Sequence, residues 1–213
     1  MSQSGLLVIL RHGESEWNAR GVWTGLTDVH LTENGRAEAV QMGEMIKDLH
    51  FDQAFASEQI RTHETLDGVL SAIHETTLAR TYAKAFNERD YGIYTGKNKW
   101  EVEQAIGHDK FIALRRGWNY PVEHGESLRE VYARTIPYYK SHVVPLLLSG
   151  KNVLIVAHGN SIRSLQKYIE NIDNAAIAQV EMIFGSALIY TVDKTGRQKS
   201  KNVRKIDVIP PPA

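Results

Sequence analysis

The 213-residue sequence predicts an α/β layered fold with a largely parallel sheet, and three observations carry that expectation. Leu6 to Leu10 and Val153 to Ala157 are short, continuous apolar runs of the kind that form strands buried on both faces. The first run is followed by Arg11-His12-Gly13-Glu14 and the second by His158-Gly159-Asn160-Ser161, so two buried strands each lead into His-Gly. Segments with helical spacing alternate with the strands, which is the order that covers a parallel sheet with helices. Ligands of such sheets gather at the carboxyl ends of the strands, and both His-Gly pairs fall there.

The remaining elements follow in order. Thr32 is placed to cap a helix that carries Ala39, Val40, Gly43, Ile46 and Leu49 on one face, at spacings of three and four. Phe51 to Ala56 reads as a shorter strand leading into Ser57 and a polar helix start containing Arg61. Ser127 is placed to cap a helix running through Leu128, Val131 and Ile136 towards Val144, and Pro137 and Pro145 leave its continuity open. From about Asp193 the chain is rich in lysine and arginine and ends in Pro210-Pro211-Pro212-Ala213, so a flexible tail without regular structure at its end is expected. Internal repeats, glycine-rich linkers and low-complexity blocks are lacking, which predicts one domain over residues 1–213.

Composition narrows the function classes. Hydrophobic residues make up 42% and charged residues 23%, close to the globular average. Lysine plus arginine and aspartate plus glutamate both number 25, so no global basic field exists to hold nucleic acid or an anionic membrane, and any anion site has to be built locally. The lack of cysteine excludes disulfides, thiolate nucleophiles and cysteine-ligated metals. Met1 to Gly5 followed by a short apolar run lacks the features of a signal peptide, and no stretch approaches the ~20 apolar residues of a membrane helix, so a cytoplasmic location is expected.

His12 follows a strand, where the backbone is held firmly. A neutral imidazole nitrogen is a competent nucleophile for phosphorus, the guanidinium of Arg11 can neutralise phosphate oxygens, and Gly13 is expected to let the backbone approach the phosphate. An isolated histidine is more often a core side chain satisfied by hydrogen bonds, and the histidines at 30, 50, 63, 74, 108, 124 and 142 keep that reading. Arg115-Arg116 lies between Leu114 and Trp118, which suggests a partly shielded pair suited to an anion rather than an exposed charged face. No metal motif of the H-E-x-x-H kind is present.

His12 does not stand alone. Arg11 to Asn18, with Ser15 and Asn18, together with Thr24-Gly25, resembles the phosphate-binding signature of the histidine phosphatase superfamily, and specifically its cofactor-dependent phosphoglycerate mutase branch. Arg61 after Ser57, Glu88-Arg89 with Tyr91-Gly92, Lys99, Arg115-Arg116, Gly125-Glu126-Ser127 and His158-Gly159-Asn160 continue the match in the family's order, over roughly residues 6 to 190. The resemblance implies a three-layer sandwich and interconversion of 3-phosphoglycerate and 2-phosphoglycerate through a phosphohistidine on His12. It also implies 2,3-bisphosphoglycerate as primer and no metal. In that scheme His158, Arg11 and Arg61 stabilise the transferring phosphoryl group and Glu88 is the general acid and base. Ser15, Asn18, Thr24, Gly25, Arg89, Tyr91, Lys99, Arg115, Arg116, Gly159 and Asn160 would bind substrate.

Three departures accompany the match. Only residues 117–124 separate Arg116 from Gly125, where many mutases carry a longer insert. Such inserts can form subunit contacts, so a homo-oligomer is compatible with the resemblance and its subunit count stays open. Asp90 stands where histidine is commoner, ahead of Tyr94-Thr95-Gly96-Lys97. Phe184-Gly185-Ser186-Ala187 replaces a Thr-Gly-Val-Pro-like turn. A phosphatase on the same scaffold is the alternative, with water as acceptor. A closing middle segment, joined by basic tail residues such as Lys194, Arg197, Lys199, Lys201 and Arg204, would favour transfer over hydrolysis by excluding water. A non-catalytic sensor of a phosphorylated metabolite is disfavoured because both histidines are retained.

Overall fold

The computed structural model describes residues 4–180 and 184–208. Six strands form one mixed sheet: β1 (Leu6–Arg11), β2 (Gln53–Ala56), β3 (Arg80–Tyr82), β4 (Val153–Ala157), β5 (Ser186–Val192) and β6 (Gln198–Lys205), in the order β3-β2-β4-β1-β5-β6. β3, β2, β4 and β1 run parallel, and β5 and β6 join antiparallel at one edge. Every residue of β4 is buried, as its unbroken apolar run requires.

Helices cover both faces, and residues alternate between them along each strand. Leu7, Ile9, Val153, Ile155 and Ala157 pack on one side against the helices α6 (Leu128–Tyr138) and α8 (Gly159–Ile169), with Ile136, Ile162 and Leu165. Val8, Leu10, Leu154 and Val156 pack on the other side against α2 (Glu33–Met45) and α3 (Ile60–Ala72), with Met42, Leu66 and Val69. These are the three layers expected. A one-residue slip of β1 or β4 would exchange the two sets, so the register is fixed by both cores at once.

Thr32 caps α2 as its position predicts, its hydroxyl accepting from the Gly35 amide at 3.0 Å. Val40 departs from the predicted apolar face and is 46% exposed, while Ala39, Met42, Gly43 and Ile46 are buried. One residue beyond Ala39 is a rotation of about 100°, enough to leave the stripe. Ser127 caps α6 in a capping box with Glu130. Past Pro137 the helical path widens into a π-helical turn at Tyr139–Val143 and resumes as α7 (Val144–Leu148), so the prolines reshape the helical run without ending it.

The expectation of a flexible tail from about residue 193 is corrected by β6, which pairs with β5 from Ser186↔Lys205 to Val192↔Gln198. Its alternating Gln-Lys-Ser-Lys-Asn-Val-Arg-Lys sequence suits an exposed edge strand, where lysines discourage further pairing. The closing Pro210-Pro211-Pro212 lies outside the described residues. No helix among the described residues is long and apolar enough to cross a membrane.

Between β3 and α6 the chain forms a cap over one end of the sheet. It contains short 3₁₀ turns at Lys84–Phe86 and Gly92–Tyr94 and two helices, α4 (Lys99–Ile106) and α5 (His108–Arg116). Trp23, Tyr91, Val102, Phe111, Leu114 and Val122 give the cap its own small core.

Candidate active site

The parallel pairing of β1 with β4 puts Arg11 opposite Ala157, so His12 and His158 leave the sheet side by side. Their ring centroids are 4.9 Å apart and their planes are tilted by 58°. His12 Nδ1 lies 2.7 Å from the Gly13 carbonyl. A carbonyl only accepts, so Nδ1 carries the proton and the lone pair is left on Nε2, the form a nucleophile needs. Burial, followed by the positive fields of Arg61 and Arg11, holds the His12 pKa well below the usual histidine value, so the ring is neutral at neutral pH. Burial and Arg61 do the same to His158.

Gly13 is also demanded by packing. A Cβ there would stand 2.3 Å from the Gly35 carbonyl oxygen, and the Gly13 amide donates to Thr65 Oγ1 at 3.1 Å. Close packing of the loop on the start of α2 therefore requires glycine here on its own account.

Ser57, at the end of β2, is fully buried and its hydroxyl lies 2.7 Å from His158 Nε2. His158 Nδ1 is buried and has no hydrogen-bond partner. In the first turn of α3, Arg61 is 1% exposed and donates to the carbonyls of Thr27 at 3.0 Å and Gly25 at 3.1 Å. Burial lowers its pKa to about 10, which still leaves it charged at neutral pH. Gly25 has φ +53°, a conformation that favours glycine, and this aims its carbonyl at Arg61 and at Gln59 Nε2. Ser15 caps the short helix α1 (Glu16–Ala19), and its hydroxyl also donates to Asn18 Oδ1 at 2.9 Å. Thr24 Oγ1 is buried and without a partner.

Glu88 reaches the same place from the cap. One carboxylate oxygen accepts from the Arg89 amide at 2.7 Å, the Asn160 amide at 3.3 Å and Asn160 Nδ2 at 3.1 Å. Asn160 Nδ2 also donates to the Tyr91 hydroxyl at 2.8 Å. Against the surface position an isolated glutamate would take, Glu88 is 8% exposed. A Cβ on Gly159 would lie 3.8 Å from both Arg11 Nη1 and the second Glu88 oxygen, so glycine keeps the space between these two groups open.

Arg89, like Arg61, is held by backbone carbonyls. It is fully buried and donates through Nε to the Glu126 carbonyl and through Nη1 to the Leu114 carbonyl at 2.7 Å, joining parts of the cap to one another, while its Nη2 is buried and has no hydrogen-bond partner. Lys99, at the start of α4, has its pKa pushed down to about 8 by burial and by the charges of Arg115 and Arg11. Burial likewise lowers the Arg115 pKa, and the neighbouring charge of Arg116 adds to the shift. The structure thus gathers cations from two parts of the chain, Arg11 and Arg61 beside His12 and Lys99 with Arg115 on the cap, and of these Arg11, Arg61 and Lys99 interact with the Glu88 charge.

Several residues of the site were not singled out from the sequence. Arg163 is 8% exposed, donates to the Arg115 carbonyl at 3.2 Å, and has its pKa lowered to about 10 by burial. Its spacing of one helical turn from Gly159 is the signal that identifies it. Gln59 accepts from the Glu88 amide at 2.8 Å, and Arg134 bridges the Glu126 carboxylate and the Glu88 carbonyl. Asp90 accepts from the Gly92 amide at 2.8 Å, closing a turn in which a Cβ on Gly92 would stand 2.0 Å from the Glu123 carbonyl oxygen. The short 117–124 segment packs into the cap core through Val122. Among the described residues no group of three or more histidine, aspartate or glutamate side chains is placed to hold a metal ion.

The comparisons with known proteins agree with this arrangement. Residues 7–204 match the Histidine phosphatase superfamily (branch 1). A 2,3-bisphosphoglycerate-dependent phosphoglycerate mutase from Rhodopseudomonas palustris is 39% identical over 198 residues, covering 92% of this chain and 96% of that protein. One of the same name from Bartonella quintana is 40% identical over 199 residues, covering 92% and 97%. Among solved structures, a mycobacterial glucosyl-3-phosphoglycerate phosphatase in complex with VO3 has a TM-score of 0.77 at 23% identity, covering 99% of this chain and 100% of that one. An alpha-ribazole phosphatase from Shigella flexneri has a TM-score of 0.78 at 22% identity, covering 96% and 99%. At these identities the structural likenesses show a shared fold. With the family match spanning nearly the whole chain and both histidines at the ends of paired strands, the chain belongs to the histidine phosphatase superfamily and is an enzyme of that superfamily.

Proposed function

We propose that the enzyme interconverts 3-phosphoglycerate and 2-phosphoglycerate, primed by 2,3-bisphosphoglycerate, without a metal, in the cytoplasm. The observation that carries this reading is the second group of cations. A monoester phosphatase needs positive charge only at the phosphorus being attacked. Here Lys99, from the start of α4, adds a half-shielded positive charge that interacts with Glu88, Arg11 and Arg115, beyond the pair beside His12, and such charge suits a carboxylate or second phosphate of the substrate. The names of the relatives at 39–40% identity support the same reading.

In this scheme His12 Nε2 attacks the phosphorus of the bisphosphate. The P–O bond breaks, and the departing oxygen takes a proton from Glu88. The neutral His12 ring with Nδ1–H held by Gly13 is suited to the attack. Arg11, Arg61 and His158 stabilise the charge spread over the transferring group. In the return step the hydroxyl of a bound monophosphate attacks the phosphohistidine and gives its proton to Glu88. Ser15, Asn18, Thr24, Gly25, Arg89, Tyr91, Arg116, Gly159 and Asn160 line or shape the binding space, Arg89 through the Nη2 that the cap leaves unpartnered.

The phosphatase reading has one structural observation in its favour. Three basic tail residues expected to shield the opening are engaged elsewhere: Lys201 with Glu170, Arg204 with Asp48, and Arg197 with Asn171. Incubation with 2,3-bisphosphoglycerate and 3-phosphoglycerate separates the two. The mutase reading expects 2-phosphoglycerate in large excess over free phosphate, and free phosphate without the isomer would assign the enzyme to hydrolysis.

A further inference from the structure

Arg11 lacks the contact that usually fixes a guanidinium. Its Nε is buried and has no hydrogen-bond partner. What lies against it is an aromatic ring: the Arg11 Cζ stands 3.9 Å from the centroid of Phe184. Phe184 precedes β5, and the antiparallel register that sets Leu10 opposite Ala187 carries this segment past the carboxyl end of β1. The turn is anchored from behind. The Gly185 carbonyl accepts from the Ile206 amide at 2.9 Å, and a Cβ on Gly185 would meet Ile206 and Val208 at 2.7 and 2.9 Å. The ring is thus placed by the β5–β6 edge of the sheet and not by the site it faces.

We propose that Phe184 is a positioning residue for Arg11: its ring face sets the plane of the guanidinium and keeps water from one side of it, so that the phosphoryl group at His12 meets a pre-oriented cation. A cation over an aromatic face is attracted by the ring quadrupole, most strongly where both are desolvated, and burial is the main influence on Arg11. The inference rests on His12-centred phosphoryl transfer. It is independent of whether a hydroxyl or water accepts the group.

The test compares Phe184→Leu, which keeps apolar volume, with Phe184→Tyr, which keeps the ring. Two quantities are measured: calorimetric affinity for orthovanadate, and the rate of His12 phosphorylation by 2,3-bisphosphoglycerate. Phe184→Leu is expected to lose about 3- to 30-fold in both, the range a desolvated cation–aromatic contact supplies, while Phe184→Tyr stays within about twofold of the parent. If Phe184→Leu does not fold, Phe184→Met takes its place. Leucine or methionine variants equal to the tyrosine variant in both measurements would overturn the proposal, since apolar packing alone would then suffice. A parent enzyme that binds vanadate but forms no phosphohistidine would instead remove the functional reading, and the vanadate comparison would still decide the role of Phe184.

Discussion

The hydroxyl of Ser57 lies 2.7 Å from Nε2 of His158, joining the end of β2 to the end of β4 inside a fully buried pocket. Thr62 Oγ1 stands 2.8 Å from the same hydroxyl and the Gln59 amide donates to it at 3.1 Å, so Ser57 is itself held. A ring oriented in this way needs no rearrangement when charge develops beside it. Ser57→Ala is expected to lower kcat about 5- to 10-fold, the worth of one hydrogen bond, with little change in KM. Steady-state kinetics check this, and an unchanged kcat would show that packing alone orients His158.

The depressed pKa values of His12 and His158 make stability depend on pH. The unfolded chain takes up these protons near pH 6.5, whereas the folded chain takes them up only well below that. Between those limits the unfolded state binds more protons, so stability is complete above about pH 6.5 and falls as pH drops below it. The slope is at most about 1.4 kcal/mol per pH unit for each histidine. Denaturant unfolding at pH 7.5 and pH 5.5 measures the loss, and His158→Gln is expected to show a smaller one.

Lys99 titrates within reach of the assay. With a pKa of about 8 it is charged at neutral pH and loses its charge as pH rises through 8, although a bound anion would delay the loss. KM for a phosphoglycerate is therefore expected to climb between pH 7.5 and 9.5 while kcat changes little. Lys99→Arg should flatten the profile, and Lys99→Ala should raise KM roughly tenfold or more throughout. A flat profile in the parent enzyme would place Lys99 away from the substrate.

Glu88→Gln tests proton transfer directly, because glutamine keeps the size and much of the hydrogen bonding to Asn160 and Arg89. The expected loss is about 10²- to 10⁴-fold in kcat with KM nearly unchanged. A change confined to KM would leave Glu88 as a binding group only.

Arg163 links α8 to the end of α5 through the Arg115 carbonyl. Arg163→Gln is expected to loosen the cap, raising KM several-fold and increasing the share of phosphate released relative to isomer formed. Equal partition in variant and parent would confine Arg163 to stability.

The sheet was legible because β1 and β4 are buried on both faces, and burial of that kind leaves an unbroken apolar run. β6 was read as tail because an exposed edge strand carries no such run; its lysines and arginine look like solvated chain until β5 supplies the backbone partners. The site divides in the same way. His12, His158 and Ser57 stood out because each follows a strand, whereas Gln59, Arg134 and Arg163 serve by hydrogen bonds to residues far away in the chain, and no local pattern marks such partners.

By itself the sequence determined the layered α/β fold and two histidines at strand ends, since these follow from periodicity and residue chemistry, which are local properties, and the resemblance to a known family supplied the order of the cations. Tertiary structure alone decided which nitrogen of His12 carries the free lone pair, that two Arg89 nitrogens bond to backbone carbonyls, that the basic tail lies at a sheet edge, and that Phe184 faces Arg11. The reason is physical. Hydrogen-bond partners and desolvation depend on what packs around a group in space, and for these groups the neighbours come from strands and helices brought together only when the sheet forms.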